Sequence, residues 1–263
     1  MFLTAKKEFI DKALRDIALF EQGGSVGMFY ALPRASIARG LRERVTNPKS
    51  LDQNQASLCG PAAFLYCLLN CRPDLFATYV IDLYLTGEGR IGDLTITPST
   101  GCLSFHSNPS KIADVDWVAL ASLRDSENIW FQYSSPNDTA SGATAPYVLA
   151  KWFEKAGFPG VVNETNAYFS KGLPTLLTGN LQAFAGGHVC LLVNDNMLND
   201  YQESSMFCNH WVVLQQLTSY ADDDIRFSVY TWGSIRPVPP LGKKMSRDDL
   251  SGNFYGYVSA GRL

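Results

Sequence analysis

Cys59 stands in the stretch QNQASLCGPAAF (53–64), where polar loop residues give way to an apolar run. Pro61 fixes φ for a first helical turn and needs no N–H there, so the pattern predicts a helix opening at Gly60 or Pro61. Cys59 then falls at the N-cap or in the first turn. The unpaired N–H groups and the positive end of the dipole at that place favour a thiolate over a thiol. A thiolate is the nucleophilic form of cysteine. A single cysteine is more often a small buried hydrophobe, so the chemistry needs company: a base, a group that orients the base, and a donor for an oxyanion.

The chain has three histidines, His106, His188 and His210. His106 lies in the loop-like SFHSN and reads as a solvated turn residue. His188 opens the strand-like run HVCLLVN (188–194) after two glycines, and His210 opens HWVVLQQL (210–217). Strand starts are rigid places from which an imidazole can meet a helix-start thiol, so both remain candidate bases. Taken alone, each is more often a satisfied core histidine. Zinc offers a different use of the same residue types, with Cys67-x3-Cys71 and Cys208-x-His210 as ligands. Cys67 and Cys71 fall inside a predicted helix beside Phe64 and Leu68, however, where structural zinc ligands rarely sit. The six cysteines read as reduced thiols rather than a disulfide framework, and no metal or other cofactor is expected.

The elements that must position these groups change character along the chain. Phe9, Ile10, Ala13, Leu14 and Ile17 recur at helical spacing, so MFLTAKKEFIDKAL reads as a surface helix, without the order of a secretion signal. Helices follow over 61–70 and 73–86, the second stopped by Gly87. Residues 88–110 read as loops with one short strand. Asp114 or Asp116 offers an N-cap for 117–127, Pro146 opens a helix closed by Gly157, and a shorter helix covers 173–184. The period then becomes strand-like over 188–194, 210–217, 225–232 and 254–259, with a polar loop over 195–208. RPVPP (236–240) reads as a loop because proline breaks a sheet ladder.

Composition bounds the function classes. The 263 residues carry a net charge of −3 with 46% hydrophobic residues, ordinary for a chain that buries one large core or two packed lobes. The charge offers no footprint for nucleic acid, and no apolar run approaches a membrane span.

Gln53-x5-Cys59-Gly60, the helix after it and the later His210-x-Val-Val strand together resemble papain-like cysteine peptidases. The resemblance is to the bacterial branches, such as bacteriocin-leader peptidases and translocated effector proteases, and covers about residues 50–235. It implies an α+β, papain-like fold in one catalytic domain over 1–263. An N-terminal helical extension (1–50) would precede a mainly helical lobe (51–185) whose nucleophile helix packs on a mainly β lobe (186–263) with an antiparallel sheet. It implies Cys59 as nucleophile, His210 as base and Gln53 as oxyanion donor beside the Cys59 N–H. The family's third residue, Asn or Asp after the histidine strand, is replaced by Tyr230-Thr231-Trp232-Gly233. Either Thr231 or a backbone carbonyl can accept the imidazole N–H there. Trp211, Tyr230 and Trp232 would wall the site or pack as core. The implied activity is hydrolysis of an amide bond in a protein or peptide. The same site could deamidate glutamine or asparagine, transfer the acyl group to another amine, cleave a peptidoglycan amide, or persist as an inactive binding module. The bacterial branch further implies an effector or toxin made in a bacterial cytoplasm and exported without a signal peptide, with a secretion-system component or a cognate immunity protein as partner.

Overall fold

The computed structural model describes residues 5–54, 56–108, 110–127, 144–199, 208 and 210–263. Helices fill the first half and antiparallel strands the second, giving an α+β chain. Contacts divide it into a helical unit, Leu3–Thr144 with Lys155–Gly157, and a sheet unit, Ala145–Glu154 with Phe158–Leu263. In the helical unit α1 (Lys7–Gln22) buries Ala13, Ile17 and Phe20, the apolar stripe its sequence predicts. Helix α2 (Arg34–Thr46) is not anticipated by pattern, because four arginines interrupt its apolar positions, one of them buried. Every residue of α3 (Cys59–Leu69) is buried. Helix α4 (Pro73–Thr86) packs on it and ends where expected, at Gly87. The loop region beyond holds a hairpin of two strands where one was expected, β1 (Gly89–Ile91) and β2 (Leu94–Ile96), and then the short α5 (Thr100–Leu103). Next, α6 (Asp114–Asp116) runs through a π-helical stretch, Trp117–Ala121, into α7 (Ser122–Ser126).

The sheet unit begins with α8 (Pro146–Lys155), followed by β3 (Val162–Asn163), α9 (Leu173–Phe184) and β4 (His188–Val193). Strands β5 (His210–Ala221), β6 (Asp224–Thr231) and β7 (Ser234–Val238), helix α10 (Arg247–Asn253) and strand β8 (Phe254–Ala260) complete it. The sheet order is β3-β8-β4-β5-β6-β7, with antiparallel neighbours throughout. Helix α9 packs across β4, β5 and β8, over a core that includes Leu176, Leu191, Val212, Leu214, Phe227 and Val229. RPVPP is not wholly a loop, because β7 carries Pro237 opposite Ser228. Strand β7 is an edge, where a proline's missing N–H costs no ladder bond. Helix α10, unpredicted because seven residues are too few for a period, opens with a capping box. Ser246 Oγ accepts from the Asp249 N–H at 3.1 Å and Asp249 Oδ2 from the Ser246 N–H at 2.9 Å. Of the loop expected over 195–208, Asp195–Leu198 form a 3-10 turn. Residues 200–207 lie outside the described residues, as does Gln55.

Neither Asp114 nor Asp116 caps the helix at 117, because the N-cap is Ala113 and both aspartates lie in the first turn. Asp116 is taken by a different demand. It is fully buried, and its Oδ1 accepts from Arg44 Nε at 3.0 Å. Its Oδ2 accepts from Arg44 Nη2 at 2.7 Å and from the Asp52 N–H at 3.2 Å. Burial raises the carboxyl to about 6 against the pull of Arg44, which leaves it ionised at neutral pH. One carboxylate thus ties α2 and α6 to the loop that leads into α3. Asp116→Ala strips a buried guanidinium of its two-pronged partner, so a loss of about 3 kcal/mol in urea unfolding is expected. A loss below about 1 kcal/mol, the range of an exposed pair, would contradict this account.

Candidate functional site

Cys59 is the first residue of α3, one position ahead of the earliest helical residue expected from Pro61. Leu58 is the N-cap, and its carbonyl accepts from the Ala62 N–H at 2.9 Å. Pro61 brings no N–H to the first turn, so Cys59 and Gly60 carry the donors at this helix end. The thiol is nearly covered, with 8% of the residue exposed. Gly60 is required by packing, since a Cβ there would overlap the Thr144 side chain. The preceding loop is closed on itself. The Ala56 N–H donates to Gln53 O at 3.0 Å, and Gln53 Nε2 donates back to Ala56 O at 2.9 Å. Asn54 turns the chain at φ 51°. The Gln53 carboxamide is therefore buried and held in place, with one of its two N–H groups spent on that carbonyl.

His210 and Thr231 meet in the sheet unit. His210 opens β5 and Thr231 closes β6, one ladder step beyond the Val213–Tyr230 pair. That register makes them diagonal neighbours on one face. The same face carries Val212 and Leu214 of β5 and Phe227 and Val229 of β6, so the polar pair continues an apolar surface at the end of the sheet. His210 Nε2 and Thr231 Oγ1 are 2.7 Å apart, and both residues are buried. With Nε2 protonated, the ring donates to Thr231 and Nδ1 is the basic nitrogen. Trp232 stacks on the imidazole, with ring centroids 4.5 Å apart and planes at 22°. Trp211 and Tyr230 fall on the opposite face by strand alternation and are buried.

The turn beneath the stack is strained. Thr231 pairs with Ser234, leaving the two-residue loop Trp232-Gly233 with φ of 44° and 65°. Two-residue hairpins of this hand need left-handed φ at both positions, which Gly233 supplies freely. A tryptophan there costs about 1–2 kcal/mol of backbone energy. Its ring meets both the His210 imidazole and the Arg236 guanidinium.

His188 sits at the other end of β4 from Val193, the residue opposite His210. Five residues of strand separate the two histidine ends of the sheet, about 17 Å. His188 Nε2 is buried with no hydrogen-bond partner among the described residues. The ring meets Phe158 edge-on at 5.8 Å. His106 is exposed. All six cysteines are thiols, and Cys67, Cys71, Cys102 and Cys190 are buried. Burial pushes the Cys102 thiol up and raises Cys208 as well.

Two charges that act on His210 have no signature in the sequence. Burial, the largest effect, pushes the imidazole down to about 4; Asp195 opposes this and Arg236 adds to it. Asp195 follows β4 and Arg236 lies on β7, so their nearness to β5 exists only once the strands are in register. Cys59 and Gln53 belong to the helical unit, and His210 and Thr231 to the sheet unit. No family model, curated protein or solved structure matches the chain.

A histidine held below its ordinary value of about 6.5 makes protonation cost folding free energy. Stability present above pH 6.5 is therefore lost as the pH falls, down to about 4 for His210 and about 3 for His188. For His210 the full loss is on the order of 3 kcal/mol. His210→Gln should flatten the dependence of the melting temperature between pH 6.5 and about 4. An unchanged slope would show that His210 is not a buried neutral imidazole.

Proposed function

We propose that the chain is a papain-like thiol hydrolase acting on an amide bond of a protein or peptide. Cys59 is the nucleophile, His210 the base, Thr231 the group that orients it, and Gln53 an oxyanion donor. The reading rests above all on the 2.7 Å contact of His210 Nε2 with Thr231 Oγ1 beneath Trp232. Strained backbone persists where the surrounding structure over-determines it, and here it lays the Trp232 ring over the imidazole.

On this reading His210 is neutral at rest, in keeping with a burial-lowered imidazole. Nδ1 takes the proton of the Cys59 thiol as sulfur attacks the carbonyl carbon. The carbonyl π pair moves onto oxygen, which is met by the Cys59 N–H and by the Gln53 N–H not used on Ala56. The tetrahedral intermediate collapses, the C–N bond breaks, and the imidazolium returns its proton to the leaving amine. A water deprotonated by the same nitrogen then attacks the thioester, releasing the acid and restoring the thiol. Thr231 keeps the ring in the tautomer that leaves Nδ1 basic, the part a carboxamide or carboxylate plays in related dyads and triads. The resemblance to bacterial effector peptidases makes an exported effector or toxin the fitting biological setting.

Thiol labelling tests this directly. Iodoacetamide should modify Cys59 at least about tenfold faster than any other cysteine, as mapped by mass spectrometry. His210→Gln should slow Cys59 by about tenfold or more, Thr231→Val by a smaller factor, and His188→Gln not at all. Equal, slow labelling of all six cysteines, or dependence on His188 in place of His210, would sink the proposal.

A further inference from the structure

We propose that Arg236 recognises a carboxylate on the leaving-group side of the substrate. The proposal rests on the reading of Cys59 and His210 as the reacting pair, and it names a substrate class for that site. Arg236 is exposed on β7, opposite Val229 of β6. Its guanidinium carbon lies 4.9 Å from the centroid of the Trp232 ring, the ring that also stacks on His210. Its Nε donates to Ser234 Oγ at 3.2 Å. No carboxylate among the described residues pairs with its terminal nitrogens, although Arg44, Arg72, Arg226 and Arg247 all have one. A guanidinium stacked on an indole and tethered at Nε is already fixed, so it gives up little freedom when a planar anion docks on its free edge.

The charge balance points the same way. Arg236 disfavours the imidazolium that His210 must become during the reaction, and so works against the larger, favourable effect of Asp195. A fixed cation beside a catalytic base hinders proton uptake until an anion lies against it. A substrate carboxylate on Arg236 removes that hindrance, so binding the right substrate also makes His210 a better proton acceptor. Groups stacked beside the imidazole border the leaving fragment, since it is the leaving amine that receives the imidazole proton. The carboxylate therefore belongs to that fragment, as an acidic side chain or as a free chain terminus.

Two alkylating agents of nearly equal size and different charge supply the test. The ratio of iodoacetate to iodoacetamide rates at Cys59 is measured for the full chain with Arg236, with Arg236→Lys and with Arg236→Met. A cation at this position should hold the ratio about three- to tenfold above that of Arg236→Met. Lysine should restore most of it, and added salt should erode it. Equal ratios in the wild type and Arg236→Met overturn the proposal. Slow, His210-independent labelling by iodoacetamide instead overturns the underlying hydrolase reading, so the two failures are distinguishable. Two peptides then compete against iodoacetamide, one with an acidic side chain and an amidated end, the other neutral with a free carboxylate. Protection that depends on Arg236 by either peptide identifies the source, and protection by neither overturns the substrate assignment.

Discussion

A helix buried on every side has no water to complete its ends, and α3 is such a helix. Its last carbonyls are taken up locally. Asn70 Nδ2 donates to Tyr66 O at 2.7 Å, Cys71 Sγ to Cys67 O at 3.3 Å, and the Arg72 N–H to Leu68 O at 2.6 Å. Its first turn is relieved by Pro61, which brings one orphan donor fewer. The rest of the helical unit follows from enclosing this element. Helix α4 covers one side, the π-helical stretch Trp117–Ala121 another, and the Arg44–Asp116 pair fixes the loop that delivers Cys59. A buried ion pair is poor value as stabilisation alone. Here it sets the direction from which the chain enters α3, and the position of the thiol follows from that direction.

In the sheet unit the equivalent constraint is the two-residue period of β5 and β6. Once Val213 is opposite Tyr230, the alternation that buries Val212 and Val229 also brings His210 and Thr231 to the same face. A one-residue slip would turn the imidazole to the other side of the sheet and break the bond to Thr231. The apolar core beneath α9 is what forbids that slip. The hairpin register and the position of the candidate base are therefore one fact rather than two. The Trp232-Gly233 turn, sterically costly at its first residue, is the place where local preference gives way to this arrangement.

Much of this was legible in the sequence, and the gaps have physical causes. Pro73 and Gly87 bound α4 at the residues observed, because a proline at the first turn and a glycine after the last are local steric signals. The long strands announce themselves by β-branched and aromatic runs. Helix α2 does not, because its arginines are unusual occupants of a buried face and one of them, Arg44, is buried only because Asp116 lies 72 residues away. Strand β7 looked like a loop because proline is judged by what it forbids inside a sheet, and edge position is invisible until the strand order is known. Cys59 and His210 are candidates from their places at a predicted helix start and strand start, and Gln53 and Thr231 from the resemblance. Asp195 and Arg236 are candidates from neither, since what brings them to His210 is the pairing of β4 with β5 and of β6 with β7.

The protonation state of His210 decides which form of thiol chemistry the proposed reaction uses. An ion pair at rest requires an imidazole that holds its proton more firmly than the sulfur does. A ring buried under Trp232, bonded to a neutral hydroxyl and lowered to about 4, holds it weakly. The hydroxyl of Thr231 supplies no negative charge to stabilise an imidazolium. Among the described residues the negative charge that acts on the ring is Asp195, and Arg236 works against it. A proton transferred during attack, rather than before it, is the consistent consequence. In the proposed reaction such a transfer makes the rate depend on any charge that arrives with the substrate, which is where the proposed role of Arg236 enters.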